Sequence, residues 1–236
     1  MKIIGIIPAR MESSRLPGKP LIEIGGKTMI KRVYESVVNS KLFDKVLVAT
    51  PNKDIFDHVN DFGEVLMTSN KPLNGTERVF EAYQKINGEY DFIVNIQGDE
   101  PFIKKEQLSD IISICKKPNQ ICTLIKEEKY SEALDRKSIM KVVINKNNEA
   151  MYFSRTLIPH QNIKKKYFKH ICIYAYDPIT LKALISLPPS SLELSESLEQ
   201  LRWLENGFKI KVKITKSDSF SVDTKEDLIL AENYKN

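Results

Sequence analysis

The chain has 236 residues, 42% of them apolar, and its 36 Lys and Arg against 31 Asp and Glu give a net charge of +5. That composition excludes a disordered chain and suits one large α/β domain, or one domain with a modest insertion; so mild a charge excess selects neither nucleic acid, anionic lipid nor an anionic small substrate. No stretch approaches the roughly 18 apolar residues of a membrane span, Pro8 and Arg10 cut the apolar amino terminus too short for a secretory signal, and Cys115, Cys122 and Cys172 fit neither a CxxC pair nor a disulfide framework, so reduced thiols and a cytoplasmic location are expected.

Residues 2–7 form a nearly unbroken β-branched run, as expected of a parallel strand buried on both faces. Met29, Ile30, Val33, Tyr34, Val37 and Val38 then recur with helical spacing. Further strands are predicted at 46–49, 65–67 and 92–96, separated by helical patterns such as Val79, Phe80, Tyr83 and Ile86. Alternation of strand and helix implies a mostly parallel α/β sheet with helices on both faces.

After Ile121 the pattern changes. Residues 121–125, 141–144 and 170–176 read as strands, with a turn over 145–148 leading into 150–153, which marks an inserted antiparallel subregion. The basic run Lys164 to Lys166, followed by Lys169, reads as a solvated loop, since no zinc-finger, RNP or basic-zipper pattern accompanies it. A helix over 197–205, an alternating strand over 209–214 and a last helix after Asp223 complete the chain. Thr224 with Asp227 is a capping-box pattern, which predicts Asp223 where a strand gives way to a helix amino terminus. Without internal repeat or linker, residues 1–236 read as a single domain, with 121–215 as an elaboration within it.

The most informative segment is IIPARMESSRLPGKPL, residues 6–21, which places Arg10, Arg15 and Lys19 in a loop directly after the first strand. Ligands of open α/β sheets bind outside the carboxyl ends of strands. Clustered cations there suit a polyphosphate, whose leaving pyrophosphate gains charge as its bond breaks. Ordinary surface cations would carry the same charge, so charge alone does not decide. No GxGxxG follows the strand, against a dinucleotide oxidoreductase. Gly26, Lys27 and Thr28 imitate the end of a P-loop, but the required earlier glycine falls on Leu21, so this is a turn and helix start.

Asp99 and Glu100 follow the strand at 92–96, and Asp223 is predicted to end another, so carboxylates emerge at the same edge as the Arg10 loop. One or two carboxylates with phosphate oxygens and waters suit magnesium, whereas either aspartate could instead cap a helix or turn. Glu100 reads as a support for its loop.

Residues 6–21 resemble the amino-terminal signature of the 3-deoxy-manno-octulosonate (Kdo) cytidylyltransferase family, and the likeness continues through NGTERV, NIQGDEP, FSRTLIP, KHICIYAY, LEQLR and SVDTKEDL, in order along nearly the whole chain. The resemblance implies a Rossmann-like nucleotide-diphospho-sugar transferase fold and transfer of CMP from CTP to a 3-deoxy sugar acid. It implies Mg2+ on Asp99 and Asp223, catalytic roles for Arg10, Lys19 and both aspartates, and nucleotide contacts from Arg10, Arg15, Lys19, Gly75, Thr76 and Asp99. Gln97, Arg155, His170, Tyr174, Glu199 and Gln200 match the family's sugar-acid pocket, with Arg155 the first candidate for the carboxylate. Read without the motif, His170 is a hydrogen-bonded core histidine, and Glu199 with Gln200 a helix surface. Asn74 stands where the family usually has serine, and Met11 and Glu12 where it commonly has an aromatic and a small residue. A homodimer is expected, with the 121–215 elaboration serving sugar binding and dimerisation. The alternatives are an enzyme for 8-amino-Kdo or another sugar acid, a metal-dependent glycosyltransferase, and a nucleotide-binding regulator without catalysis.

Overall fold

The computed structural model describes residues 1–13, 15–116, 120–130, 136–160 and 166–234. Lys164 and Lys165 of the basic run lie outside them. The chain divides into two compact units, one of residues 1–109 with 218–236 and one of residues 110–217.

The first unit is built on strand β1 (Ile3–Pro8). Ile3, Ile4, Ile6 and Ile7 are all buried, which explains the unbroken apolar run: a central parallel strand has no solvent face to mark with polar residues. Each of these isoleucines contributes about 1.5–3 kcal/mol through its burial. A short hairpin of β2 (Glu23–Ile24) and β3 (Lys27–Thr28) follows, with Gly25 and Gly26 at positive φ between them, and Thr28 is the N-cap of α1 (Met29–Ser40). The GKT triplet is therefore the turn and helix start that its spacing predicts. Helix α1 buries Met29, Ile30, Val33, Tyr34 and Val37 along one face.

Strands β4 (Lys45–Thr50), β5 (Val65–Met67) and β6 (Phe92–Ile96) alternate with α2 (Lys53–Asn60) and α3 (Gly75–Gln84). All pairings within this unit's main sheet are parallel, in the order β6-β1-β4-β5. The carboxyl ends of β6, β1 and β4 are thus adjacent, and the loops that leave them share one edge. Helix α4 (Lys105–Ser113) follows β6.

The second unit holds β7 (Ile121–Lys129), β8 (Lys141–Ile144), β9 (Ala150–Ser154) and β10 (Lys166–Tyr176). Strand β10 runs antiparallel to both β7 and β8, and β8 antiparallel to β9, so the antiparallel insertion is present. Helix α5 (Pro178–Ile185) follows, and β11 (Ile210–Thr215) pairs parallel with β7. The helix expected over 197–205 forms as α7 (Gln200–Glu205), starting three residues late, and a short helix the sequence did not announce, α6 (Ser191–Glu196), precedes it and ends at Ser197, which takes a left-handed conformation with φ of 53°. A capping box of Ser190 and Glu193 starts α6.

The chain then returns to the first unit. No strand leads into Asp223, contrary to the sequence reading: β11 stops at Thr215 and residues 216–223 are irregular. Asp223 immediately precedes Thr224, the N-cap of α8 (Lys225–Glu232), and the expected capping box with Asp227 is formed. The irregular segment is held by packing rather than by a ladder. Val222 lies fully buried with Leu16, Ile24, Met29, Phe102 and Ala231, and the Phe102 ring stacks on Phe220 at 4.8 Å between centroids.

Candidate active site

A cleft of about 320 Å3 opens in the first unit at the carboxyl ends of β1 and β6, lined by Arg10, Arg15, Lys19, Gly75, Gln97, Asp99 and Asp223 together with Pro8, Ala9, Glu12, Ser13, Pro20, Asn74, Arg78 and Gly98. Two close approaches shape it. A Cβ on Gly98 would come within 2.9 Å of the Pro8 carbonyl oxygen, so only glycine lets the loop after β6 pass the end of β1. Gly18, at φ of 69°, donates its N–H to the Met11 carbonyl at 3.1 Å and closes the cationic loop on itself.

The two aspartates meet here. The Val222 N–H donates to the Asp99 carbonyl at 2.9 Å, so a backbone bond ties the segment before α8 to the loop after β6. Their carboxylates converge on one ammonium: Lys19 Nζ lies 2.7 Å from Asp99 Oδ2 and 2.9 Å from Asp223 Oδ1. An Arg15 terminal nitrogen approaches Asp223 Oδ1 at 3.2 Å. Burial by itself would push the Lys19 pKa down, but the Coulombic pull of Asp99 and Asp223 outweighs it and holds the ammonium above its ordinary value. Lys19 therefore stays charged.

That arrangement also tests the implied metal. Two carboxylate oxygens that share one cation at these distances can share another, and both are hard donors. Among the described residues no group of three or more His, Cys, Asp or Glu side chains comes together, so an ion here would take its other ligands from phosphate and water, the coordination magnesium favours. The donor set fits.

The far wall is the start of α3. Asn74 is its N-cap, accepting from the Glu77 N–H at 2.9 Å, while Glu77 accepts from the Leu73 N–H at 2.8 Å. The substitution for serine thus keeps the cap. The helix amino terminus adds partial positive charge to a cleft already lined by Arg10, Arg15 and Lys19. Gly75 and Arg78 line the cleft, whereas Thr76 is buried and does not. Arg78 donates to Thr68 Oγ1 at 2.7 Å and to the Ser69 carbonyl, and burial followed by the nearby Arg10 lowers its pKa.

The sequence matches the model of a protein family described as cytidylyltransferase over residues 4–214. The chain belongs to the cytidylyltransferase family. It is 51% identical to the 3-deoxy-manno-octulosonate cytidylyltransferase of Parabacteroides distasonis, over 97% of this chain and 96% of that one. With the enzyme of the same name from Thermodesulfovibrio yellowstonii it shares 44% identity over 100% and 99% of the two chains. A CMP:2-keto-3-deoxy-manno-octonic acid synthetase solved in complex with CTP superposes with a TM-score of 0.88, at 36% identity over 99% of this chain and 100% of that one. A 4-diphosphocytidyl-2C-methyl-D-erythritol synthase from Anaerococcus prevotii, 18% identical with a TM-score of 0.65 over 99% and 98%, shares the fold. The Rossmann-like transferase fold is as expected.

The remaining residues of interest in this cytidylyltransferase lie in the second unit, except Gln97, whose amide donates to Asn95 Oδ1 at 3.2 Å in the first. His170 is buried on β10, its Nε2 paired with Thr123 Oγ1 at 2.9 Å, and burial lowers its pKa to about 3. Beside it, Tyr174 packs on His170 at 5.3 Å and edge-on against Trp203 at 5.1 Å. The Tyr174 hydroxyl and Gln200 Nε2 are buried without a hydrogen-bond partner among the described residues. Such orphaned groups are uncommon enough to require an account, and a polar ligand is one.

Arg155 is held by backbone carbonyls. Its Nε donates to the Glu196 carbonyl at 2.7 Å, and its terminal nitrogens to the Lys137 and Ser197 carbonyls at 3.1 Å. The guanidinium clamps the turn between α6 and α7, just before Glu199 and Gln200, and keeps one further N–H on each terminal nitrogen. Among the described residues no helix is long and apolar enough to cross a membrane.

Proposed function

We propose that this cytidylyltransferase transfers CMP from CTP to the anomeric hydroxyl of Kdo, giving CMP-Kdo for lipopolysaccharide or capsule synthesis and releasing pyrophosphate. One observation carries the reading: Asp99 and Asp223 converge on a single cation in the same cleft as Arg10, Arg15 and the start of α3. A nucleotide-binding regulator would need the phosphate-binding cations but not paired carboxylates beside them. Relatives named for Kdo at up to 51% identity favour that acid over its 8-amino analogue or a glycosyl transfer.

Asp99 and Asp223 would hold Mg2+, which when bound supplies charge neutralisation and Lewis-acid polarisation at the α-phosphate. Positioning and charge stabilisation by the chain's own residues supply the rest. Arg15 and Lys19, which neutralise the aspartates in this structure, hold the departing phosphates, and Arg10 and Gly75 orient the nucleotide. Thr76 lies buried in the first turn of α3, behind the cleft wall that Gly75 lines.

Sugar-acid recognition is assigned to Gln97, Arg155, His170, Tyr174, Glu199 and Gln200. Tyr174 and Gln200 bring buried polar atoms that need partners. Arg155 brings its two remaining donors to a carboxylate while it braces the α6–α7 turn, and neutral His170 supports the Tyr174 ring. The protein is assigned to the cytoplasm as a homodimer.

A pyrophosphate-release assay with Mg2+, CTP and UTP, and a panel of 2-keto-3-deoxy sugar acids tests this reading. CTP with Kdo should give the highest kcat/KM, since a hydrogen-bonding pocket rejects a base whose donors and acceptors are exchanged. Equal turnover of UTP, or a preference for 8-amino-Kdo, would overturn the assignment.

A further inference from the structure

An asparagine at a helix N-cap ordinarily turns its side chain back onto the helix's own amides. Asn52, the N-cap of α2, does not: its side chain makes no capping bond. Both ends of the carboxamide reach across to the cationic loop. Oδ1 accepts from the Met11 N–H at 3.0 Å, and Nδ2 donates to Glu12 Oε1 at 3.2 Å. The Asn52 N–H donates to Thr50 Oγ1 at 3.2 Å, which fixes the residue at the end of β4, beside β1 in the sheet.

Glu12 explains why such a grip matters. It is an exposed acid in the lining of the cleft that also presents Arg10, Arg15 and Lys19, and, unlike Asp99 and Asp223, which meet Lys19, it lies where it feels the charges of Arg10 and Arg78. Its own backbone N–H, and then Asn52, hold its carboxyl below the usual range, so it is an anion at neutral pH. A mobile carboxylate at that place would compete with a triphosphate for the same guanidinium groups.

We propose that Asn52 is a positioning residue for nucleotide binding: it holds Met11 and Glu12 in place, and so keeps the Glu12 carboxylate from pairing with the arginines that bind phosphate. The inference rests on the cleft being the CTP site and adds to it a determinant of nucleotide affinity.

The test is a cycle of Asn52→Asp, Glu12→Gln and the double variant, with KM measured separately for CTP and sugar acid and folding followed by melting temperature. Asn52→Asp still accepts from Met11 but repels Glu12, so the CTP KM should rise about tenfold while kcat and the sugar-acid KM stay within about twofold. Adding Glu12→Gln restores a donor and removes the anion, and should return the CTP KM to within about threefold of the parent. An unchanged CTP KM in Asn52→Asp, or a defect that Glu12→Gln does not relieve, overturns the proposal. Hydrogen exchange decides it independently of turnover. The Met11 amide should exchange faster in Asn52→Ala, and unaltered exchange would sink the positioning role even if the cleft binds another nucleotide.

Discussion

Lys19 bridges two aspartates that lie 80 and 204 residues away in sequence, and this contact brings the basic loop and both carboxylates to one point. The cations were legible because they cluster beside a strand, and both aspartates were expected at the same edge; the direct ion pairs with Lys19 were not, since nothing local tells Lys19 which carboxylates it will meet. If both carboxylates serve one metal, Asp99→Asn and Asp223→Asn should each lower turnover about 10²-fold or more, and the double change should cost far less than the product of the two. Plain caps would instead lose about 1 kcal/mol of stability with turnover kept, so kcat and melting temperature measured on the three variants discriminate. His170 makes a second prediction. Its folded pKa of about 3 lies below the ordinary 6.5, so the unfolded chain binds its proton first and stability is lost as pH falls from about 6.5 towards 3. Its share should approach 1.4 kcal/mol per pH unit well inside that window. Urea unfolding of the wild type and of His170→Gln should show a shallower pH slope for the variant between pH 6 and 4; parallel slopes would contradict the neutral, buried state.

Among the elements, β1, β4, β6 and the α1 face were readable from apolar periodicity, because burial on one or both faces dictates it. Helix α6 and the turn at Ser197 that ends it were not. Ser197 adopts a left-handed conformation without the glycine that usually announces one, and its cost is offset by the bond from the Arg155 guanidinium to its carbonyl. Asn52 was missed for a different reason: its partners are 40 and 41 residues away, and an N-cap asparagine reads as a cap. Asn74 does cap its helix. Asn74→Ala should cost about 1 kcal/mol in urea unfolding, and Asn74→Ser should keep most of that stability. An alanine variant as stable as the parent would show that the cleft wall does not depend on this cap.

At the scale of the whole molecule, the motifs that resemble the Kdo cytidylyltransferases are dispersed along the chain, yet the residues proposed for the nucleotide all fall in the first unit and most of those proposed for the sugar acid in the second. The order of motifs could be read from sequence; the return of residues 218–236 to the first unit could not, because it depends on Val222 and Phe220 finding the Phe102 core rather than on any strand. In the proposed reaction the anomeric oxygen of Kdo attacks the α-phosphorus of CTP and expels pyrophosphate. Kdo equilibrated in 18O-water carries label at its anomeric oxygen, and 31P NMR of the products reports where that oxygen goes. The label should appear in the phosphoester bridge of CMP-Kdo with none in pyrophosphate. Label in the pyrophosphate, or a CMP-Kdo bridge without label, would contradict the mechanism.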